Sequence, residues 1–90
     1  MKIEHAAERS EFQASLDGHL AYLKYREAGE RLLDYHHTFV PPQLRGAGVA
    51  GKLARYALDW AREHGYTVRP SCSFVASFIE RHPEYADMTA

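Results

Sequence analysis

The repeat period of this chain changes abruptly at one place, and that place limits the folds open to it. Residues 31 to 40, RLLDYHHTFV, alternate in the two-residue period of a strand, with Leu33, Tyr35, His37 and Phe39 on one side and Asp34, His36, Thr38 and Val40 on the other. Pro41 and Pro42 stop that strand, because neither can donate to a ladder. From Gly46 the period is helical: Val49, Leu53, Tyr56, Ala57, Trp60 and His64 form an apolar stripe, with Lys52, Arg55, Asp59, Arg62 and Glu63 off it. Gly65 is placed to end the helix in the left-handed conformation. A short β-like run, Tyr66 to Arg69, follows. Strand, packed helix and second strand close most economically as a β-α-β crossover, with 66–69 parallel to 35–40.

The rest of the chain reads as elements added to that unit. Residues 2 to 6 and about 10 to 16 form two short strands; Asp17-Gly18 is a strong turn signal, and His19 to Tyr25 has strand-like composition. EAGE, 27 to 30, makes a second turn, so an antiparallel meander leads into the strand 31–40. After Pro70, the residues Phe74, Val75, Phe78 and Ile79 predict a short second helix with Ser71 or Ser73 as N-cap, and HPEYADMTA is expected to be an irregular tail. Ninety residues leave room for one α+β domain, 1–90, and not for a full doubly wound nucleotide fold.

The formal net charge is −1 and the two signs are interspersed, so neither nucleic acid nor an anionic membrane is an expected partner. No apolar run approaches the ~20 residues of a membrane span, and the N-terminus is too polar for a secretory leader, so a soluble, cytoplasmic protein is expected. The single cysteine, Cys72, cannot form an internal disulfide. His36 and His37 point to opposite faces of their strand and no other residues complete a ligand set, so no metal is expected. Oligomeric state is left open.

Any anion must therefore be bound locally, and the glycines of PPQLRGAGVAGKL, 41 to 53, are the place for it. Gly46, Gly48 and Gly51 spell the dinucleotide fingerprint, but the insert PPQLR separates them from the strand, and RPSC stands about 20 residues on, where an acidic residue is needed. Gly46 to Lys52 nearly spells a P-loop, but Leu53 replaces the Ser or Thr that would ligate magnesium. The third pattern, Q-x-x-G-x-G from Gln43 to Gly48, needs only a helix N-terminus whose unpaired N–H groups face a pyrophosphate, with Arg45 adding charge. A tight turn with no ligand explains the glycines equally well from spacing alone.

Longer motifs separate these readings. DGHLAYLKY at 17–25, HTFV at 37–40, LRGAGVAGKLARYALDWAREHG at 44–65, VRPSCSFV at 68–75 and HPEY at 82–85 occur in the order found in the small, single-domain branch of the GNAT superfamily, sometimes called YjdJ-type, which the whole chain resembles. The resemblance implies a minimal GNAT-like α+β fold with a splayed parallel strand pair, and transfer of an acetyl group from acetyl-CoA to an amine, either a small molecule or a protein lysine or N-terminus. It implies pyrophosphate contacts at Gln43, Arg45, Gly46, Ala47, Gly48 and Val49, with Ala50 and Lys52 as neighbours. Between the strand ending in Phe39-Val40 and the strand 66–69 it places the pantetheine arm, held by main-chain groups of 37–40.

For chemistry, His37 is the candidate base, since histidine exchanges protons near neutral pH. Packing in the core beside Tyr35 and Phe39 is its alternative role. Cys72, between a strand end and a helix start, is the candidate nucleophile if the helix dipole favours its thiolate, and otherwise a small buried hydrophobe. The resemblance has one departure: many relatives carry tyrosine where this chain has Phe74, which removes a phenol that could protonate departing CoA. A non-catalytic CoA-binding or protein-interaction module that keeps the fold is the alternative function.

Overall fold

The computed structural model covers residues 1–90 and contains a single five-stranded sheet in the order β1-β2-β3-β4-β5. Strands β1 (Lys2–Ala6), β2 (Glu11–Leu16), β3 (His19–Gly29) and β4 (Leu32–Phe39) form the expected antiparallel meander. Asp17 and Gly18 both have positive φ, the geometry that lets a two-residue hairpin follow the natural twist of its strands. Helix α1 (Val49–Glu63) crosses back over the sheet, and β5 (Thr67–Arg69) pairs parallel with β4. Helix α2 (Ser73–Arg81) packs beside α1, where Phe78 lies 3.9 Å from the position a Cβ on Gly51 would occupy.

Several expectations are corrected. EAGE is not the turn: β3 runs on to Gly29 and the reversal falls at Glu30-Arg31, with Arg31 at φ +57°. The helix buries Val49, Leu53, Ala54, Ala57, Leu58 and Ala61, whereas Tyr56 is 37 % exposed and His64 is exposed. Small alanines give the sequence pattern little weight, yet they let α1 sit close on the sheet. There it is tied by the buried Tyr35 hydroxyl, which donates to the Ala57 carbonyl at 2.7 Å. The N-cap of α2 is Cys72, not a serine. Nor is the tail irregular. Pro83–Met88 forms a 3-10 helix that buries Tyr85 and Met88, and the Ala90 N–H donates to the Val68 carbonyl at 3.0 Å, covering the open edge of β5.

Two register features shape the site. The first is a bulge. Lys24 faces His37 but Tyr25 faces Tyr35, so His36 is an extra residue in β4. With a side-chain period of two, one extra residue reverses every side chain beyond it. Leu33 and Tyr35 point into the core as expected. Beyond the bulge, Thr38 stands opposite the buried Leu23, while Phe39 and His37 turn to the face carrying Tyr22, 5.4 and 6.1 Å from its ring. The second is an early end to the parallel pairing. β5 pairs with Leu32, Leu33 and Asp34 rather than with 35–40.

At the far end of α1 His5 sits in an aromatic cage. Its ring stacks on Phe12 at 4.5 Å, meets Trp60 edge-on at 4.5 Å and hydrogen-bonds the Tyr25 hydroxyl at 2.6 Å. Burial, reinforced by repulsion from His64, lowers its pKa. The unfolded chain therefore takes up this proton at a higher pH than the folded one. Stability should be constant above the ordinary histidine pKa, fall as the pH drops through ~6.5, and level off below the folded pKa. Thermal melts between pH 8 and 5 check this, and His5→Gln should flatten the slope.

Candidate active site

The head of α1 is built to leave its amides free. Gly48 is the N-cap, at φ +74°, and no side chain caps the helix. The N–H groups of Gly46, Gly48, Val49, Ala50 and Gly51 have no backbone acceptor, and the helical ladder begins with the Lys52 N–H on the Gly48 carbonyl. Gly46, at φ +84°, and Gly48 supply the left-handed residues that the turn into the helix requires. Such a cluster of N–H dipoles with the positive end of a helix favours an anion.

The amides open into a cavity of about 570 Å³ between α1 and α2. Of the residues expected to hold cofactor, Val40, Arg45, Gly46, Gly48, Val49 and Ala50 line it. Phe39, Gln43 and Ala47 do not. The bulge has turned Phe39 to the other face, and Gln43 and Ala47 lie exposed in the turn. Arg45 Nε donates to the Val40 carbonyl at 3.1 Å, which links the end of β4 to the helix head. Further lining comes from Lys52, Arg55, Phe74, Phe78, Arg81 and His82. The sequence assigned none of Arg55, Phe78, Arg81 and His82 to a site, because they reach the cavity only through the packing of one helix on the other. No carboxylate lines it.

Beside the cavity the sheet splays. Past Asp34 no strand pairs with the outer edge of β4, and the Cys72 N–H takes the Tyr35 carbonyl at 2.9 Å in place of a strand partner. That bond seats Cys72 against β4, where Sγ and Thr38 Oγ1 hydrogen-bond at 3.5 Å. Cys72 and His37 are therefore not brought together: Thr38 is the neighbour of the thiol, and His37 is exposed on the opposite face. Half-burial of the sulfur opposes its ionisation, but the Thr38 hydroxyl and the N–H groups of Val75, Phe74 and Thr38 outweigh it, and the thiol pKa is lowered. The sulfur makes no capping hydrogen bond to α2. No group of three or more His, Cys, Asp or Glu side chains gathers to hold a metal ion.

A sheet that splays next to an uncapped helix head, with a cation-lined cavity between, defines the class as a small α+β protein with an open strand edge beside its cavity. Comparison with known proteins narrows the class. The family model described as GCN5-related N-acetyl-transferase matches residues 11–88. Protein NATD1 of Bos taurus is 34% identical over 85 residues, covering 92% of this chain and 75% of that protein; the Danio rerio protein of the same name is 31% identical over 91 residues, covering 97% and 83%. The solution structure of a GCN5-like protein from Staphylococcus aureus superposes with a TM-score of 0.76 at 27% identity, covering 99% of this chain and 87% of that one. This chain belongs to the GCN5-related N-acetyltransferase family.

Two outcomes follow from the geometry. A Cβ on Gly48 meets nothing within 4 Å, so Gly48→Ala should cost only the left-handed backbone penalty of about 1–2 kcal/mol, read as a lower Tm without aggregation. Thr38→Val should move the pH profile of Cys72 alkylation by iodoacetamide to higher pH, and Thr38→Ser should restore it.

Proposed function

We propose that this chain is an acetyltransferase that takes an acetyl group from acetyl-CoA and passes it, by way of Cys72, to an amine. The observation that carries this reading is the cavity at the head of α1, where five amides without acceptors and Arg45 face a space lined by no carboxylate. A diphosphate fits there without magnesium. The pantetheine arm then lies along the outer edge of β4, from His36 to Phe39, whose outward main-chain groups pair with no strand, while the Val40 carbonyl is held by Arg45.

In this reading the Cys72 thiolate attacks the carbonyl carbon of the thioester. An S–C bond to Cys72 forms, the C–S bond to CoA breaks, and CoA leaves as its thiolate. The Thr38 N–H, which faces the sulfur, is placed to stabilise negative charge on the carbonyl oxygen. A thiolate enters and a thiolate leaves, so this step needs no general acid, which suits a chain with Phe74 in place of a phenol. A neutral amine then attacks acetyl-Cys72 and the thiolate is released. The proton of the attacking amine passes to the released Cys72 thiolate or to water, since His37 stands on the opposite face of the sheet and has no part at the sulfur. A reducing compartment such as the cytoplasm, which we propose as its location, would keep the thiol free.

Titration with acetyl-CoA in a calorimeter should give saturable heat, weakened at least about tenfold by Arg45→Glu. Intact-mass analysis after mixing should show one acetyl adduct, absent in Cys72→Ala. His37→Ala should keep both the adduct and its transfer to amines, because the imidazole stands on the face of the sheet away from Cys72. An adduct that survives Cys72→Ala defeats the covalent route, and absence of any saturable heat defeats the CoA reading itself.

A further inference from the structure

One buried side-chain oxygen in this chain has no partner, and it lies where the sheet opens. Only two charged residues are buried, Glu11 and Asp34, at 3 % and 2 % exposure. Glu11 is well partnered: Gln13 donates to it at 2.7 Å, and Arg9 and Lys24 stand at 3.8 and 3.9 Å. Asp34 is held on one side only. Its Oδ2 accepts from Arg26 at 3.1 Å, but that guanidinium is largely exposed, and Oδ1 is buried without a hydrogen bond. Burying a carboxylate costs more than an ion pair with an exposed arginine returns, so its place in the fold needs a reason.

Asp34 stands opposite Arg69 as the last pair of the parallel ladder. Pro70 has no N–H, and the Ser71 N–H turns back onto the Arg69 carbonyl at 3.1 Å, so no main-chain hydrogen bond ties residues 70 and 71 to β4. Yet the next residue is closely placed: the Cys72 N–H meets the Tyr35 carbonyl at 2.9 Å, and the sulfur meets Thr38 at 3.5 Å. A side-chain contact bridges the gap. The Ser71 hydroxyl lies against the Asp34 carboxylate and, ahead of Arg26, holds that carboxyl below the usual carboxylate range in spite of burial. A hydroxyl turns its proton to suit an acceptor, and Oδ1 is an acceptor with no other donor.

We infer that Asp34 is a positioning residue for Cys72: through the Ser71 hydroxyl, its buried carboxylate clamps the turn from Arg69 to Cys72 against β4 and so sets the sulfur beside Thr38. The inference rests on the reading of Cys72 as the acetyl carrier. Asp34 alternates with the core residues Leu33 and Tyr35, so its carboxylate reaches the turn from the uncovered side of the sheet, and it lines no part of the cavity between α1 and α2. Nor does it act on the sulfur by charge. Burial, Thr38, Val75 and Phe74 set the ionisation of the thiol, and Asp34 is not among them. What Asp34 supplies is placement, without which the Thr38 hydroxyl and the sulfur drift apart.

The test is the pH profile of Cys72 alkylation by iodoacetamide, measured on the whole chain. Ser71 is exposed, so Ser71→Ala should fold. It should move the profile up by roughly half to one pH unit, which slows alkylation about three- to tenfold near neutral pH. Ser71→Thr keeps the hydroxyl and should leave the profile in place. Asp34→Ala should move it as far as Ser71→Ala does, and the double variant no further, because the two residues act as one contact. An unchanged profile in Ser71→Ala overturns the inference, as do shifts that add in full in the double variant. The rate of acetyl-adduct formation with acetyl-CoA separates this inference from the reading beneath it. An adduct that forms equally fast in Ser71→Ala overturns the inference and leaves the acetyl-carrier reading standing. No adduct in the unaltered protein, with alkylation still shifted by Ser71→Ala, defeats that reading and keeps the positioning of the thiol.

Discussion

The parallel pairing of β4 with β5 lasts only from Leu32 to Asp34, and the site depends on its ending there. Past that point β4 has an open edge that only the Cys72 N–H, on the Tyr35 carbonyl, begins to fill. Two things follow from this one hydrogen bond. The chain turns away from the sheet at Cys72 and starts α2, which makes the only cysteine an N-cap. The strand residues from His36 onward keep unpaired main-chain groups, an edge that can accept an extended ligand as a further strand would.

The bulge at His36 works with that opening. Without the extra residue, Thr38 would face away from the helices and His37 would face Cys72. With it, the hydroxyl of Thr38 meets the sulfur and the imidazole stands on the uncovered face of the sheet. The thiol therefore owes its lowered pKa to hydroxyl and amide hydrogen bonds, set against burial, and not to an ion pair with histidine. Such bonds stabilise a thiolate without placing a proton carrier next to it.

A chain of 90 residues has little core to spare, and its C-terminal segment does structural duty that a larger protein would give to further strands. Tyr85 is buried and donates to Asp59 at 2.7 Å, while Arg62 holds the Glu84 carbonyl and Asp87, both at 2.6 Å. These contacts fasten the tail to α1, and the tail in turn fixes α2 through His82 and Phe78. The far wall of the cavity, including Arg81, is thus anchored through Tyr85, Asp59 and Arg62, which do not line it.

The sequence alone determined the elements whose signals are local. Proline stops and glycine turns are backbone properties, so the meander, the crossover and the glycine-turned start of α1 were legible from Asp17-Gly18, Pro41-Pro42 and Gly46 to Gly48. Family resemblance supplied the cavity residues contiguous with those glycines. Tertiary structure alone decided which way side chains face and which distant residues meet. A strand's period of two is broken by one inserted residue, and no pattern in RLLDYHHTFV shows whether its partner strand will leave His36 unpaired. The buried alanines of α1 and the contribution of Arg81 were hidden for a related reason. Burial and convergence depend on how two helices pack, and that is settled by the whole core, not by the residues on either helix.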